Sequence, residues 1–423
     1  MPHSRRWAAL GLALASACQA PPPPLQAASP EPATATAERT SGEIRRPSPA
    51  PGTLRVRLTE LAGVLSFEVG GSDRGALRLS RRGDLVESSA GESAPHVRLV
   101  PARGAKGLTV GERTYPGELW IEVDEHSGLV VENVVDLEDY VAGVVPTELI
   151  LWSAKEAEIE AQAICARSYA LRSLQRRGLF ERSAFLWDDT RDQVYGGRFR
   201  LGDSRGERAV EARLARALEL SRGQVLVDDR GAPYDVRFHA SCGGTTTSPA
   251  GAFPLESDQH HAPVPCAPCR EIGAEERRWP RDDPRRRRVH WRWTAPAEEL
   301  ARLARTLGLG ERLASLGEPR ADAHGRWQSV RLDGPRGTTR LSVERLRGEL
   351  GAGDLKSGRV LDTWPDLGAP LTGGMHFEGL GRGHGAGLCQ VGSHELAVAG
   401  WSARQILAHY LPGSRVVPLE ASP

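Results

Sequence analysis

LEDYVAGVVPTELILWSAKEAEIEAQAICARSYALRSLQRRG, residues 137–178, is the stretch on which the reading of this chain turns. In its second half Ala154, Ala157, Ala161, Ile164, Ser168 and Leu171 recur at helical spacing. Ser153-Ala154-Lys155-Glu156 has the form of a capping box, in which two side chains satisfy free amides of the first turn. Glu156, Glu158 and Glu160 come early, and Arg167, Arg172, Arg176 and Arg177 come late, which suits a helix dipole. Gly178 supplies a stop. We therefore expect a long helix over 153–177, with one face of small residues that another element can approach closely. In the first half, Glu148 lies between Val144-Val145-Pro146 and Leu149-Ile150-Leu151-Trp152, an unusually apolar setting for a carboxylate. It reads as part of a loop just before the helix, where reactive groups are often held.

Upstream, residues 53–135 read as β structure. Leu54-Arg55-Val56-Arg57-Leu58 alternates, Leu119-Trp120-Ile121-Glu122-Val123 does so approximately, and glycines punctuate the runs. Downstream we expect a helix over Glu207 to Leu220 and strands at Gln224 to Val227 and Tyr234 to Phe238. An irregular excursion over 255–290, a helix at Ala297 to Leu307, a strand at Ser329 to Leu332 and a helix from Ser402 to Tyr410 follow. The fold class is α+β: a mixed, β-rich region with a long Ala-rich helix and a substrate cleft, plus a smaller N-terminal β region. The expected divisions are 1–18, 19–51, 52–135 and 136–415, with no internal repeat.

The first two divisions concern export. Arg5 and Arg6 precede an apolar run from Trp7 to Ala17, too short to span a bilayer. Leu14-Ala15-Ser16-Ala17-Cys18 resembles a bacterial lipobox, which would make Cys18 the lipidated residue; a plain secretory signal is the alternative. Gln19 after the Cys favours the outer membrane in a Gram-negative cell. Residues 19–51, rich in Pro, Ala, Ser and Thr, form a spacer rather than a core. The expectation is an exported protein tethered to a membrane and facing the cell wall. With 55 Lys and Arg against 54 Asp and Glu, no basic field points to nucleic acid.

Four segments carry further information. Leu137 to Leu149 leads into the helix with Ala161-Gln162-Ala163 and Ala166-Arg167-Ser168-Tyr169-Ala170. Then come Asp192-Gln193-Val194-Tyr195-Gly196-Gly197 and Phe238-His239-Ala240-Ser241-Cys242-Gly243-Gly244. Last is Gly381-Arg382-Gly383-His384-Gly385-Ala386-Gly387-Leu388-Cys389-Gln390, with Ile406 to Gly413 after it. In this order, over about residues 130–415, the chain resembles the stage II sporulation protein D family, whose wider group includes amidase enhancers. Thr147-Glu148-Leu149-Ile150 stands where Ala-Glu-Met-Pro is usual, Cys389 where Ser is common, and Arg382-Gly383 where Trp-Gly often precedes His-Gly.

The resemblance implies a lytic transglycosylase that cuts peptidoglycan glycan strands, stripped of stem peptides, between N-acetylmuramic acid and N-acetylglucosamine, with Glu148 as acid and base. Such a site needs one carboxyl group, protonated near neutral pH through apolar burial or a like charge. Without the resemblance, Glu148 would read as a structural carboxylate near a helix start. Arg167, Tyr169, Gln193, Tyr195, His384 and Gln390 are candidates for holding sugar; pinning the fold is the plainer role for them. The alternative function is a non-catalytic glycan-binding protein that stimulates or positions a cell-wall amidase.

His239-x-x-Cys242 and Cys266-x-x-Cys269 make a His-Cys and a Cys-Cys pair of the kind that tetrahedral zinc favours. His260 and His261 are reserve ligands, and four protein ligands would make the zinc structural. Some members of the resembling family bind zinc near this His motif. A disulfide in an exported protein and a redox pair are the rivals. Cys165 reads as a buried small hydrophobe, and Arg285 to Arg288 as a solvated run.

Overall fold

Thr53–Arg57 alternates as expected, yet its polar residues are not all turned to water. Arg55 is buried against Glu132 of the Gly128–Asp136 strand at 3.0 Å, and Arg57 reaches the same carboxylate at 2.7 Å. In the computed structural model, residues 52–124, 128–178, 184–253, 257–259, 261–279, 288–350 and 357–419 are described. Residues 1–18 with Cys18, the 19–51 stretch, His260 and Arg285 to Arg287 lie outside the described residues. Among the described residues, no helix is long and apolar enough to cross a membrane.

The architecture is α+β. One sheet has the order Leu186–Trp187, Thr53–Arg57, Gly128–Asp136, Glu118–Asp124, His96–Leu99. Its first pair is parallel and the rest are antiparallel. A second sheet of six short strands runs from Ser93–Ala94 at one edge to Arg113–Tyr115 at the other. The Gly128–Asp136 strand passes directly into helix α1, Leu137–Glu148, and Asp136 caps it by accepting from the Glu138 amide at 2.8 Å.

Helix α2, Glu156–Arg176, is the expected long helix, begun slightly later. Ser153 does not cap it: its hydroxyl turns back to the Ile150 carbonyl, and Glu158 receives the Lys155 amide at 3.1 Å instead. Helix α3, Arg205–Leu220, carries a reciprocal cap between Ser204 and Glu207. These helices share a core with the strands before Asp136. Val56, Leu79, Ile121 and Val131 pack in one cluster with Tyr140, Val144, Ile159, Ala166 and Leu214. A single hydrophobic core therefore crosses position 135/136.

The other side of α2 is buried too. Ala161, Ile164 and Cys165 face Leu226, Tyr234, Leu388, Ile406 and Tyr410 in a second cluster. Each fully buried Ile on the two faces contributes about 1.5–3 kcal/mol. The chain closes by pairing Arg415–Pro418 antiparallel to Gln224–Val227. Of the expected Tyr234 to Phe238 strand only Phe238 is regular, in the short strand Phe238–His239, which pairs in parallel with Leu388–Cys389. The expected excursion at 255–290 contains a helix, Ala267–Glu276, with Cys266 at its N-cap.

Between these parts lies a lobe with its own core of Trp291, Leu303, Leu316, Val330, Leu346 and Phe377. It holds two three-stranded sheets and the helices Ala297–Thr306 and Val343–Glu349.

Candidate active site and cysteine cluster

Glu148 is not in a loop. It is the last residue of α1, a helix whose final turns contain Gly143, Val144, Val145 and Pro146. Those residues are poor helix formers, and the helix exists because its faces are buried. The segment Asp188 to Gly197 closes over its end. Thr147 donates to the Val194 carbonyl at 2.5 Å, and the Gly196 amide donates to the Gly143 carbonyl at 3.1 Å. Close approach explains two glycines here. A Cβ on Gly143 would lie 2.5 Å from the Tyr195 ring, and one on Gly196 would lie 2.9 Å from the Thr147 methyl.

The Glu148 side chain is half-buried, and its Oε1 accepts the Val194 amide at 3.1 Å. Burial raises its pKa to about 7, and the Val194 hydrogen bond opposes the rise. The negative end of the α1 dipole acts in the same direction as burial, since it too disfavours a carboxylate. Just past it the chain turns into solvent, where Ile150 and Trp152 are exposed.

The other candidates fall into two groups. Arg167 is fully buried, bidentate to Glu138 at 2.8 and 2.6 Å, with a third bond to the Gln224 carbonyl. Tyr195 is fully buried, donates to Asn133 at 2.8 Å and stacks on Tyr140. Both hold the fold together around α1. Gln193 is buried and accepts from the Tyr140 hydroxyl at 3.1 Å, while its Nε2 has no partner. Tyr169 is half-buried, donates to Asp192 at 2.9 Å and lies under the Arg237 guanidinium.

His384 receives the Ala386 amide on Nδ1 at 3.1 Å, so Nε2 carries the proton and donates to the Phe238 carbonyl at 2.9 Å. Burial pushes its pKa well below the usual histidine range, which keeps it neutral. His239 meets the carbonyl of the same Ala386 at 3.0 Å. Gln390 donates to Gln162 of α2 at 3.4 Å.

The four buried sulfurs of Cys242, Cys266, Cys269 and Cys389 lie within 4.8 Å of one another. Cys389 thus stands where the sequence reading set His239, and His261 is turned to the Tyr234 ring. All four are free thiols. The amides of Cys242 and Gly392 point at the Cys389 sulfur at 3.3 and 3.4 Å, and that of Gly244 points at Cys242 at 3.4 Å. Inward N–H groups of this kind favour thiolates. The donor set is what tetrahedral zinc takes, and four protein ligands leave no open position. Cys389 had a signal in the sequence: it is a cysteine at a position where the resembling family commonly has Ser.

Residues 125–227, which hold α1, α2, α3 and the Asp188 to Gly197 segment, match the family model of the stage II sporulation protein, SpoIID. An uncharacterized protein of Brachyspira hyodysenteriae is 26% identical over 313 residues, covering 74% of each chain.

Proposed function

From a chain that carries a SpoIID domain at residues 125–227, a domain that supports a role connected with the cell wall or sporulation, we propose the specific activity of a peptidoglycan lytic transglycosylase acting through Glu148. One observation carries this reading: a half-buried carboxyl group whose pKa, about 7, is raised by its surroundings rather than by a second acid. At neutral pH such a group is divided between both forms, so one residue can first give a proton and then take one. The acid protonates the glycosidic oxygen as the bond to muramic acid C1 breaks. The resulting carboxylate removes the proton from the 6-hydroxyl of that sugar, and the hydroxyl oxygen closes on C1. The products are a free 4-hydroxyl end and a 1,6-anhydro end, and no water is consumed. The nucleophile belongs to the substrate, which gives the step an intramolecular advantage.

The four cysteines would hold a structural Zn2+ that fastens the Cys242 turn, the Cys266 helix start and the Cys389 strand to one another. Lipidation at Cys18 would tether the protein to a membrane, with 19–51 as the spacer toward glycan strands of the wall. A cell-wall amidase that strips stem peptides would supply the substrate.

The test is incubation of purified protein with intact and amidase-stripped peptidoglycan, followed by mass spectrometry of released products, beside Glu148→Gln. Anhydro-ended fragments from the wild type, reduced about 10²–10⁴-fold in the variant, are expected. Their absence, with glycan still retained on the protein, would sink the transglycosylase reading in favour of a binding module that works with the amidase.

A further inference from the structure

Arg326 is a buried guanidinium that makes no ion pair with a carboxylate among the described residues. It lies at the end of the turn between the strands Ser315–Ala321 and Trp327–Gly334, at the tip of a hairpin of the inserted lobe. Only 7% of its surface is exposed. Among the described residues, no acid is within ion-pair distance of its guanidinium, although Asp322 accepts its backbone amide at 2.9 Å and Glu344 acts on it from further off; its Nη2 donates to the Cys242 carbonyl at 3.1 Å. The guanidinium also packs against the Gly-rich loop, where a Cβ on Gly385 would come within 2.5 Å of its Cζ. Arg359, from the same lobe, presses on the next residue of the same turn: its Cδ is 3.0 Å from where a Gly243 Cβ would stand. Its Nη1 is buried without a hydrogen-bond partner.

A buried cation left uncompensated is costly. What these two guanidinium groups share is the Cys242 turn and, behind it, the four sulfurs. Four thiols or two disulfides are neutral and would leave Arg326 with only the carboxylates of Asp322 and Glu344, neither in ion-pair contact with it. A divalent metal held by four thiolates carries two net negative charges. We propose that the cysteine cluster is such an anionic centre, and that Arg326, with Arg359 beside it, is the counter-charge that docks the inserted lobe against it. This rests on the zinc reading above and extends it, making the metal a latch between the lobe and the body that carries Glu148. Arg326 and Arg359 are positioning residues. They touch neither metal nor substrate, and act by stabilising the charged state of the ligands.

The experiment is metal content by plasma mass spectrometry, then Zn2+ affinity by competition with a chromophoric chelator, for wild type and variants. We expect one zinc per chain in the wild type and binding weakened by about 10–100-fold in Arg326→Gln. Arg326→Lys, which keeps the charge, should stay within about fivefold of wild type, and Arg359→Gln should lose about fivefold or more. Removal of zinc should speed amide exchange at the 315–334 hairpin while the strands at 53–57 and 128–136 stay protected. Wild-type affinity in Arg326→Gln, with zinc present, overturns the counter-charge role alone. Should that variant not fold, wild-type affinity in Arg359→Gln, or Arg326→Lys as weak as a neutral replacement, overturns it. A metal-free wild type holding disulfides by mass overturns the zinc reading along with it.

Discussion

Replacing Glu148 by Gln should make the protein more stable at neutral and alkaline pH, by an amount the site itself sets. The folded carboxyl has a pKa of about 7 against an ordinary 4.5. Below about pH 4.5 both states are protonated and the substitution removes no titration. Between about 4.5 and 7 the unfolded chain loses this proton while the folded one keeps it, so wild-type stability falls as pH rises. Above about 7 both are ionised and the loss is complete. At about 1.36 kcal/mol per pH unit the ceiling is about 3 kcal/mol, and relaxation around a half-buried group should bring it to about 1–3. Gln keeps an acceptor for the Val194 amide, so that hydrogen bond is retained. The assay is urea unfolding of both proteins at several pH values from about 4.5 to 8.5, with the difference cancelling every shared titration. A rising curve that levels off above about pH 7 is expected. A curve flat within about 0.5 kcal/mol would mean that Glu148 ionises like a solvated acid, and the account of how it is held protonated would be wrong.

Two further substitutions separate scaffold from chemistry. Tyr195→Phe removes the donor to the buried Asn133 carbonyl oxygen and should cost about 1–2 kcal/mol in urea unfolding, with kcat/KM for glycan release within about twofold; a tenfold fall at unchanged stability would make Tyr195 a substrate contact. Gly143→Ala forces a methyl group against the Tyr195 ring and the Gly197 carbonyl. It should destabilise by about 1–3 kcal/mol and lower glycan release even where the protein stays folded, because it lifts the Asp188 to Gly197 segment from the end of α1; a neutral outcome would show that this contact does not fix the site.

Much of this was legible in the residues. The period of Ala161, Ile164, Ser168 and Leu171 located α2, since a helix buried on both sides must be lined with small and apolar residues. Helix α1 escaped because Gly143, Val144, Val145 and Pro146 have low helix propensity; tertiary burial and the Asp136 cap decide there, and neither shows as a period. The same gap put Glu148 in a loop. The charged residues of the Arg-Ser-Tyr motif offered no sign of Glu138 as the partner of Arg167, 29 positions away. Cys389 joined the cysteines through a parallel strand pair, and sequence spacing carries no information about a bridge of 120 residues. In the lobe at 291–377 the residues showed one helix and the Ser329 to Leu332 strand, while the other strands of its two sheets and its separate core went unread.

Helix α2 meets the strands and α3 on one side and the C-terminal elements on the other. A fragment ending at residue 227 would strip the second side bare, laying open Ala161, Ile164 and Leu226 along with the unpaired edge that Arg415–Pro418 now covers. The segment that the family model matches is therefore not a transplantable module. Its boundary in sequence falls in the middle of a cooperative unit, and a chain trimmed to it should expose an apolar face and a free strand edge, the combination that leads to aggregation.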